Sequence, residues 1–375
     1  MRAWIIVLWM LVIGVTSAAP AGAQTASPEE LRERTNAGTV GIISGGVNGT
    51  YIQIANDLAK VLDEENGLRV LPIIGKGSVQ NITDILYLKG IDIGIVQSDV
   101  LEFIKREQIH PAIGEHIRYI SKLYNEEFHL LGGKDIASVN DLAGRKVNFG
   151  VPGSGTYMTA TTIFQTMGIA VEPVSFDQAL AYEKLRNGEI AGMVYVAGKP
   201  TKLFTGLEPE EGIAFVPVPA SPELLEIYLP ARLSYGDYPR LIPEDGAVDT
   251  VAVGAVMAIY NWSPRSDRYR KSANFVKAFF DGFDQFLAAP RHPKWKEVNL
   301  SAVVPGWVRF APAQTWLDAR QPTVATADAA VQRQLEAFMQ FLNEKGGGQT
   351  FDDLTPERRN ALFLEFLNWQ QTRGN

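Results

Sequence analysis

The chain of 375 residues contains no cysteine. Thiol catalysis, disulfide frameworks, iron–sulfur clusters and thiolate zinc sites are therefore excluded. Histidine is scarce, with only His110, His116, His129 and His292, and the H-E-x-x-H spacing of a zinc hydrolase is absent. Positive charge is in deficit, 35 Lys+Arg against 42 Asp+Glu for a formal net charge of -7, which leaves no footprint for nucleic acid. Nucleotide signatures are missing as well. Gly153-Ser154-Gly155 runs on into Thr156-Tyr157-Met158 rather than to the third glycine of a dinucleotide loop, and there is no phosphate loop, Gly-x-Ser-x-Gly elbow or Ser-x-x-Lys. No cofactor, metal or nucleic-acid partner is expected.

Long apolar runs are confined to the N-terminus. Residues 1–23 carry Arg2, an apolar stretch over 4–15, and small residues ending at Ala21-Gly22-Ala23. That is the three-part layout of a secretory signal, cleaved near Ala23 and implying a periplasmic protein. The alternative, a membrane anchor, is short: about twelve residues rise about 18 Å as a helix, against a hydrocarbon core about 30 Å thick. The remainder is ordinary globular chain, 46% hydrophobic and 21% charged, long enough for two lobes at roughly 150 residues each.

Along that remainder, short apolar runs alternate with helical periodicity, which predicts an α/β fold with parallel strands and crossover helices. Strands are expected at 40–43, 68–74, 91–96, 145–151, 190–196 and 250–260. The first, second and fourth lead into glycine-rich loops, each followed by a helix, so that one structural unit recurs. Asp99 and Glu102 have capping-box spacing, Ser175 can cap the helix after it, and a long helix is expected over 266–289 with Phe275, Phe279 and Phe283 in line. The chain can cross between lobes near 126–133 and again through 217–245, giving a discontinuous first lobe over 38–126 and 226–309, a second lobe over 127–225, and a helical extension over 310–375. The aromatic rows, including Phe363, Phe366 and Trp369, read as core, with a partner surface as the other reading.

Three loops set hydroxyls and glycines at predicted helix starts: Asn48-Gly49-Thr50-Tyr51, Lys76-Gly77-Ser78 and Gly153-Ser154-Gly155-Thr156. Helix N-termini leave N–H groups unpaired, so a carboxylate can sit there without an arginine. The plainer reading is that Thr50, Ser78 and Thr156 only cap their helices. Three such loops at the C-terminal ends of parallel strands favour a ligand site, because open α/β sheets bind ligands at that edge. Gln97 ends its strand where it can reach the same crevice or simply face solvent. Tyr51 can contact a ligand or pack, and Lys76 and Lys199 can pair with ligand acid groups or stay solvated.

At these positions the sequence resembles a known family. Ser44-Gly45-Gly46-Val47-Asn48-Gly49-Thr50-Tyr51, Gly77-Ser78-Val79-Gln80-Asn81, Ile93-Gly94-Ile95-Val96-Gln97-Ser98-Asp99, Val151-Pro152-Gly153-Ser154-Gly155-Thr156 and Val196-Ala197-Gly198-Lys199-Pro200 stand in the order seen in TAXI-type solute-binding proteins, the receptors of tripartite ATP-independent (TRAP) transporters. The resemblance implies a two-lobed type II periplasmic-binding fold. Its ligand would be a small organic anion, glutamate-like or a dicarboxylate, and its partner the membrane permease subunits of a TRAP transporter. The implied contacts are Asn48, Thr50, Tyr51, Ser78, Gln97, Ser98, Ser154, Gly155, Thr156, Ala197 and Gly198, in a monomeric, non-enzymatic receptor. Asn48 and Lys76 stand where the family more often has glycine. Two other readings remain: a ligand-sensing module for a membrane signalling protein, and an exported hydrolase using Asp177 with His129.

Overall fold

The computed structural model describes residues 26–63, 67–208, 210 and 212–320. The expected signal segment and most of the expected C-terminal extension lie outside these residues. The first run contains α1 (Pro28–Ala37), β1 (Thr39–Ile43), α2 (Thr50–Leu62), β2 (Arg69–Ile73), α3 (Ser78–Tyr87), β3 (Ile93–Gln97), α4 (Val100–Arg106), α5 (Ile113–His116) and the long β4 (Ile117–Gly132). The second contains β5 (Lys146–Asn148), α6 (Gly155–Thr166), β6 (Glu172–Val174), α7 (Gln178–Arg186), β7 (Gly192–Ala197), α8 (Lys202–Thr205), β8 (Ala214–Phe215) and α9 (Pro222–Leu225). The chain then returns through β9 (Leu229–Ser234) and a second long strand, β10 (Ala247–Tyr260), to α10 (Asp267–Asp281) and α11 (Ala311–Asp318).

The strands line up as β2-β1-β3-β10-β4-β7-β5-β6, and the order is the same when read inward from either end. Each end is a parallel triple, β2-β1-β3 or β6-β5-β7, closed by one long antiparallel strand, β10 or β4. This repeat is the recurring strand, loop and helix unit of the sequence. The long strands join the halves: β4 pairs with β10 through residues 117–127 and with β7 through residues 127–132. Their shared middle sets Asn125, Glu126 and Glu127 opposite Gly254, Val253 and Ala252, beside a break in register between Gly254 and Val256. The molecule is thus a two-lobed α/β fold strung on two strands.

Each half-sheet is covered on both faces, which is why its parallel strands read as unbroken apolar runs. In the first lobe, α2 and α10 pack Ile54, Leu58, Phe275 and Phe279 onto one face, while α3 and α4 pack Ile82, Ile85, Val100 and Ile104 onto the other. In the second lobe, α6 presents Ala160, Ile163 and Phe164 to one face and α7 presents Ala181 and Leu185 to the opposite one. Met158 of α6 belongs to neither second-lobe cluster. It is 1% exposed and lies among Ile82, Ile85, Val96 and Val100 of the first lobe.

Several expectations are corrected. β4 had been read only as a boundary near 126–133, because Arg118, Lys122, Glu126 and Glu127 break its apolar pattern, yet most of its residues are buried. The helix expected over 266–289 starts on its Ser266 cap but ends at Asp281, where Gly282 opens into a 3-10 turn over Phe283–Phe286. Asp177, not Ser175, caps α7 by accepting from the N–H groups of Ala179 and Leu180. Asp99 stands at the cap position of α4 without a side-chain bond to the helix, its carboxylate accepting instead from the Tyr228 hydroxyl. Among the described residues, no helix is long and apolar enough to cross a membrane.

Candidate ligand-binding site

β1, β2 and β5 deliver their loops to one place, so α2, α3 and α6 all begin at the cleft between the lobes. Glycine makes two of these starts possible. Gly77 caps α3 at φ +108°, a conformation other residues avoid, and Gly155 opens α6 so closely packed that an added Cβ would lie 2.1 Å from Gln97 Oε1 and 2.6 Å from Ser78 Oγ. Neither Thr50 nor Ser78 caps a helix: the cap positions are Gly49 and Gly77, without side-chain bonds. Ser154 does cap, its Oγ accepting from the Tyr157 N–H.

The lobes are shut on one another. Gln80 N donates to Gly153 O at 3.0 Å and Thr50 Oγ1 to Gly198 O at 2.9 Å, while within the first lobe Tyr51 OH donates to Glu126 Oε2 at 2.6 Å. The cleft between the lobes holds a cavity of about 180 Å³, below the roughly 300–1,000 Å³ of drug-sized sites. Thr50, Tyr51, Gln97, Ser154, Gly155, Thr156 and Ala197 of the sequence-predicted set line it. Ser78 lies directly behind, donating to Gln97 Oε1 at 3.2 Å and accepting from Gln97 N at 2.9 Å. Thr156 Oγ1 accepts from Val196 N, which ties α6 to β7.

Asn48, Ser98 and Gly198 are not brought into the lining. Asn48 offers its carbonyl to Thr201, Ser98 is held by Gly254 and by the Trp307 indole, and Gly198 is packed beneath Thr50, Tyr124 and Lys294. Lys76 does line the cavity, whereas Lys199 is bonded to Asp237 and the Arg232 carbonyl. Phe176, Gln178, Tyr195 and Glu126 complete the wall, and sequence reading had missed all four. The first three carried no motif. Glu126 was hidden inside a strand that the charge pattern had disguised.

Charge in the site is unevenly balanced. Burial is the main cause that pushes Glu126 up to about 8, its bond from Tyr51 only partly opposing this. Next to it, Glu127 Oε1 accepts from the buried Lys294 at 2.7 Å, and its Oε2 accepts from Lys199 N. Burial also pushes the Tyr51 and Tyr195 hydroxyls up, so both stay protonated, the Tyr51 proton being engaged by Glu126. His129 is held neutral, pushed down to about 3 by burial, and bonds to the Tyr238 hydroxyl and the Tyr195 carbonyl. Asp177 is engaged at the start of α7, and the two make no hydrogen bond with each other among the described residues. No group of three or more metal-ligating side chains occurs among those residues either.

The geometry is that of a two-lobed α/β fold with a cavity between the lobes. The chain belongs to the NMT1-like family, whose sequence model matches residues 42–310. Among solved structures it is similar to R. palustris Rpa4515 with adipate, at 16% identity over 80% of this chain and 95% of that one, with a TM-score of 0.43. It is also similar to the alkanesulfonate-binding protein SsuA from Xanthomonas axonopodis pv. citri bound to MOPS, at 15% identity over 81% and 93%, TM-score 0.41. An amino acid ABC transporter substrate-binding protein from Streptococcus pneumoniae bound to L-arginine aligns at 13% identity over 72% and 98%, TM-score 0.40.

Proposed function

We propose that the protein is a periplasmic solute receptor of the TAXI kind. It captures a small organic anion, a glutamate-like amino acid or a dicarboxylate, and hands it to the permease subunits of a TRAP transporter. Residues 38–126 with about 254–309 form one lobe and residues 127–253 the other, rather than the lobe change expected at 226, because Tyr228, Leu233, Tyr238 and Val251 pack among second-lobe residues; the hinge lies where β4 and β10 pass between the lobes. Thr50, Tyr51, Ser78, Gln97, Ser154, Gly155, Thr156 and Ala197 make or support the ligand contacts.

One observation carries this reading: three helix starts converge on one small cavity. Each presents N–H groups that have no partner within the helix, and together with Lys76 they suit a carboxylate. Gln97 is 1% exposed, and among the described residues its side-chain nitrogen donates to nothing, so a ligand oxygen can accept from it. Gln97→Leu tests the site with little change in volume. Ligand affinity should fall about tenfold or more, near 1.4 kcal/mol, with the circular dichroism unchanged. Undiminished affinity in that variant would remove the cavity from consideration as the binding site.

A further inference from the structure

We propose that Glu126 selects the ligand: its carboxylate receives a primary ammonium, so the cleft takes an α-amino acid in preference to the 2-oxo or plain carboxylic acid of the same skeleton. The proposal rests on the receptor reading above and narrows it. Glu126 lines the cavity from the middle of β4. Its Oε2 accepts from Tyr51, while Oε1 takes no donor among the described residues. The nearest buried cation does not serve it. Lys294 is bonded to Glu127 at 2.7 Å and to Glu297 at 2.8 Å, and successive strand residues point to opposite faces.

The wall of the cavity therefore holds two unlike kinds of group: Lys76 with the helix starts, and a carboxyl group without a counter-ion. Asp177, the remaining acid of the wall, is already bonded to the start of α7. Among the described residues no arginine lines the cavity. An ammonium finds a complement in the ionised Glu126, whereas the second charge of a dicarboxylate finds none there. The groups around Glu126 are Tyr51 of α2, Tyr124 and Glu127 of β4, Tyr195 of β7, Asp99 before α4, and Lys294. Only the lysine is positive. Burial holds Glu126 near 8, so at pH 7 the empty cleft keeps a proton that an arriving ammonium displaces to solvent.

The test is calorimetry at pH 7 in phosphate and in Tris with matched ligand pairs: L-glutamate and 2-oxoglutarate, L-aspartate and oxaloacetate, L-leucine and 4-methyl-2-oxopentanoate. The amino acid of at least one pair should bind about 30-fold or more tighter than its oxo acid and release close to one proton. E126Q should shrink that gap to a few-fold. An oxo acid that binds as tightly as its amino acid in the native protein overturns the assignment of Glu126 and leaves the receptor reading standing. Failure of every pair to bind overturns both. The affinity gap and the proton count come from the native chain, so they decide the matter even if E126Q does not fold.

Discussion

Gly155 and Gln97 come from different lobes and touch only because the first has no side chain. Gly155→Ala is expected to hold the lobes apart and weaken ligand binding about tenfold or more, with the melting temperature of the empty protein little altered; titration and calorimetry on the same sample separate the two effects. Glu126 supplies a second prediction. Its ordinary value is 4.5 and the fold raises it to about 8, so between these the folded chain keeps a proton that the unfolded chain releases, and stability is lost as pH rises through that window. Asp99, raised to about 6, acts in the same sense lower in the range, and His129 acts oppositely below 6.5, where the unfolded chain takes up a proton that the buried ring refuses. From pH 6.5 to 8 the melting temperature of the empty protein should fall, and E126Q should flatten that fall. Residue by residue, the glycine loops made Thr50, Ser154 and Thr156 legible, because helix starts have a composition of their own. Glu126 was not legible, since nothing local distinguishes a buried carboxyl from a solvated one.

The elements that position the site differ in how they are held. α6 is fixed at its first turn by the Ser154 cap and the bond from Val196 N to Thr156 Oγ1, and beyond it by Met158 packed into the opposite lobe. Ser154→Ala should cost about 0.5–2 kcal/mol of stability, the usual loss for a hydroxyl cap, measurable by urea unfolding. No loss would mean that α6 is held by packing alone. Buried parallel strands announce themselves as apolar runs, which is why β1, β3 and β7 are expected within a few residues of their positions. β4 did not, because its charges are answered from afar: Lys294, far along the chain, neutralises Glu127 inside the fold. Likewise Gly282 ends α10 where the phenylalanine spacing continues, since the 3-10 turn keeps Phe286 in the same core.

At the scale of the whole molecule, two half-sheets of matching strand order hang on β4 and β10, and the register break beside Gly254 lies at their shared middle. Such an arrangement suits hinge closure, because bending is confined to two strands while each lobe keeps its own core. The repeat was legible in sequence as a recurring strand, glycine loop and helix; the return crossing was legible only as a Pro- and Gly-rich stretch, within which β9 now stands. The cavity between the lobes is proposed as the receptor site for a small carboxylate. The most direct test is a thermal-shift titration of the protein, unfolded and refolded to strip carried-over solute, against amino acids, 2-oxo acids, dicarboxylates and sugars. A ligand at 100 times its Kd stabilises by about 2.7 kcal/mol. The account predicts a clear rise with carboxylate-bearing ligands and none with neutral sugars; a rise with sugars alone, or with nothing in the panel, would contradict it.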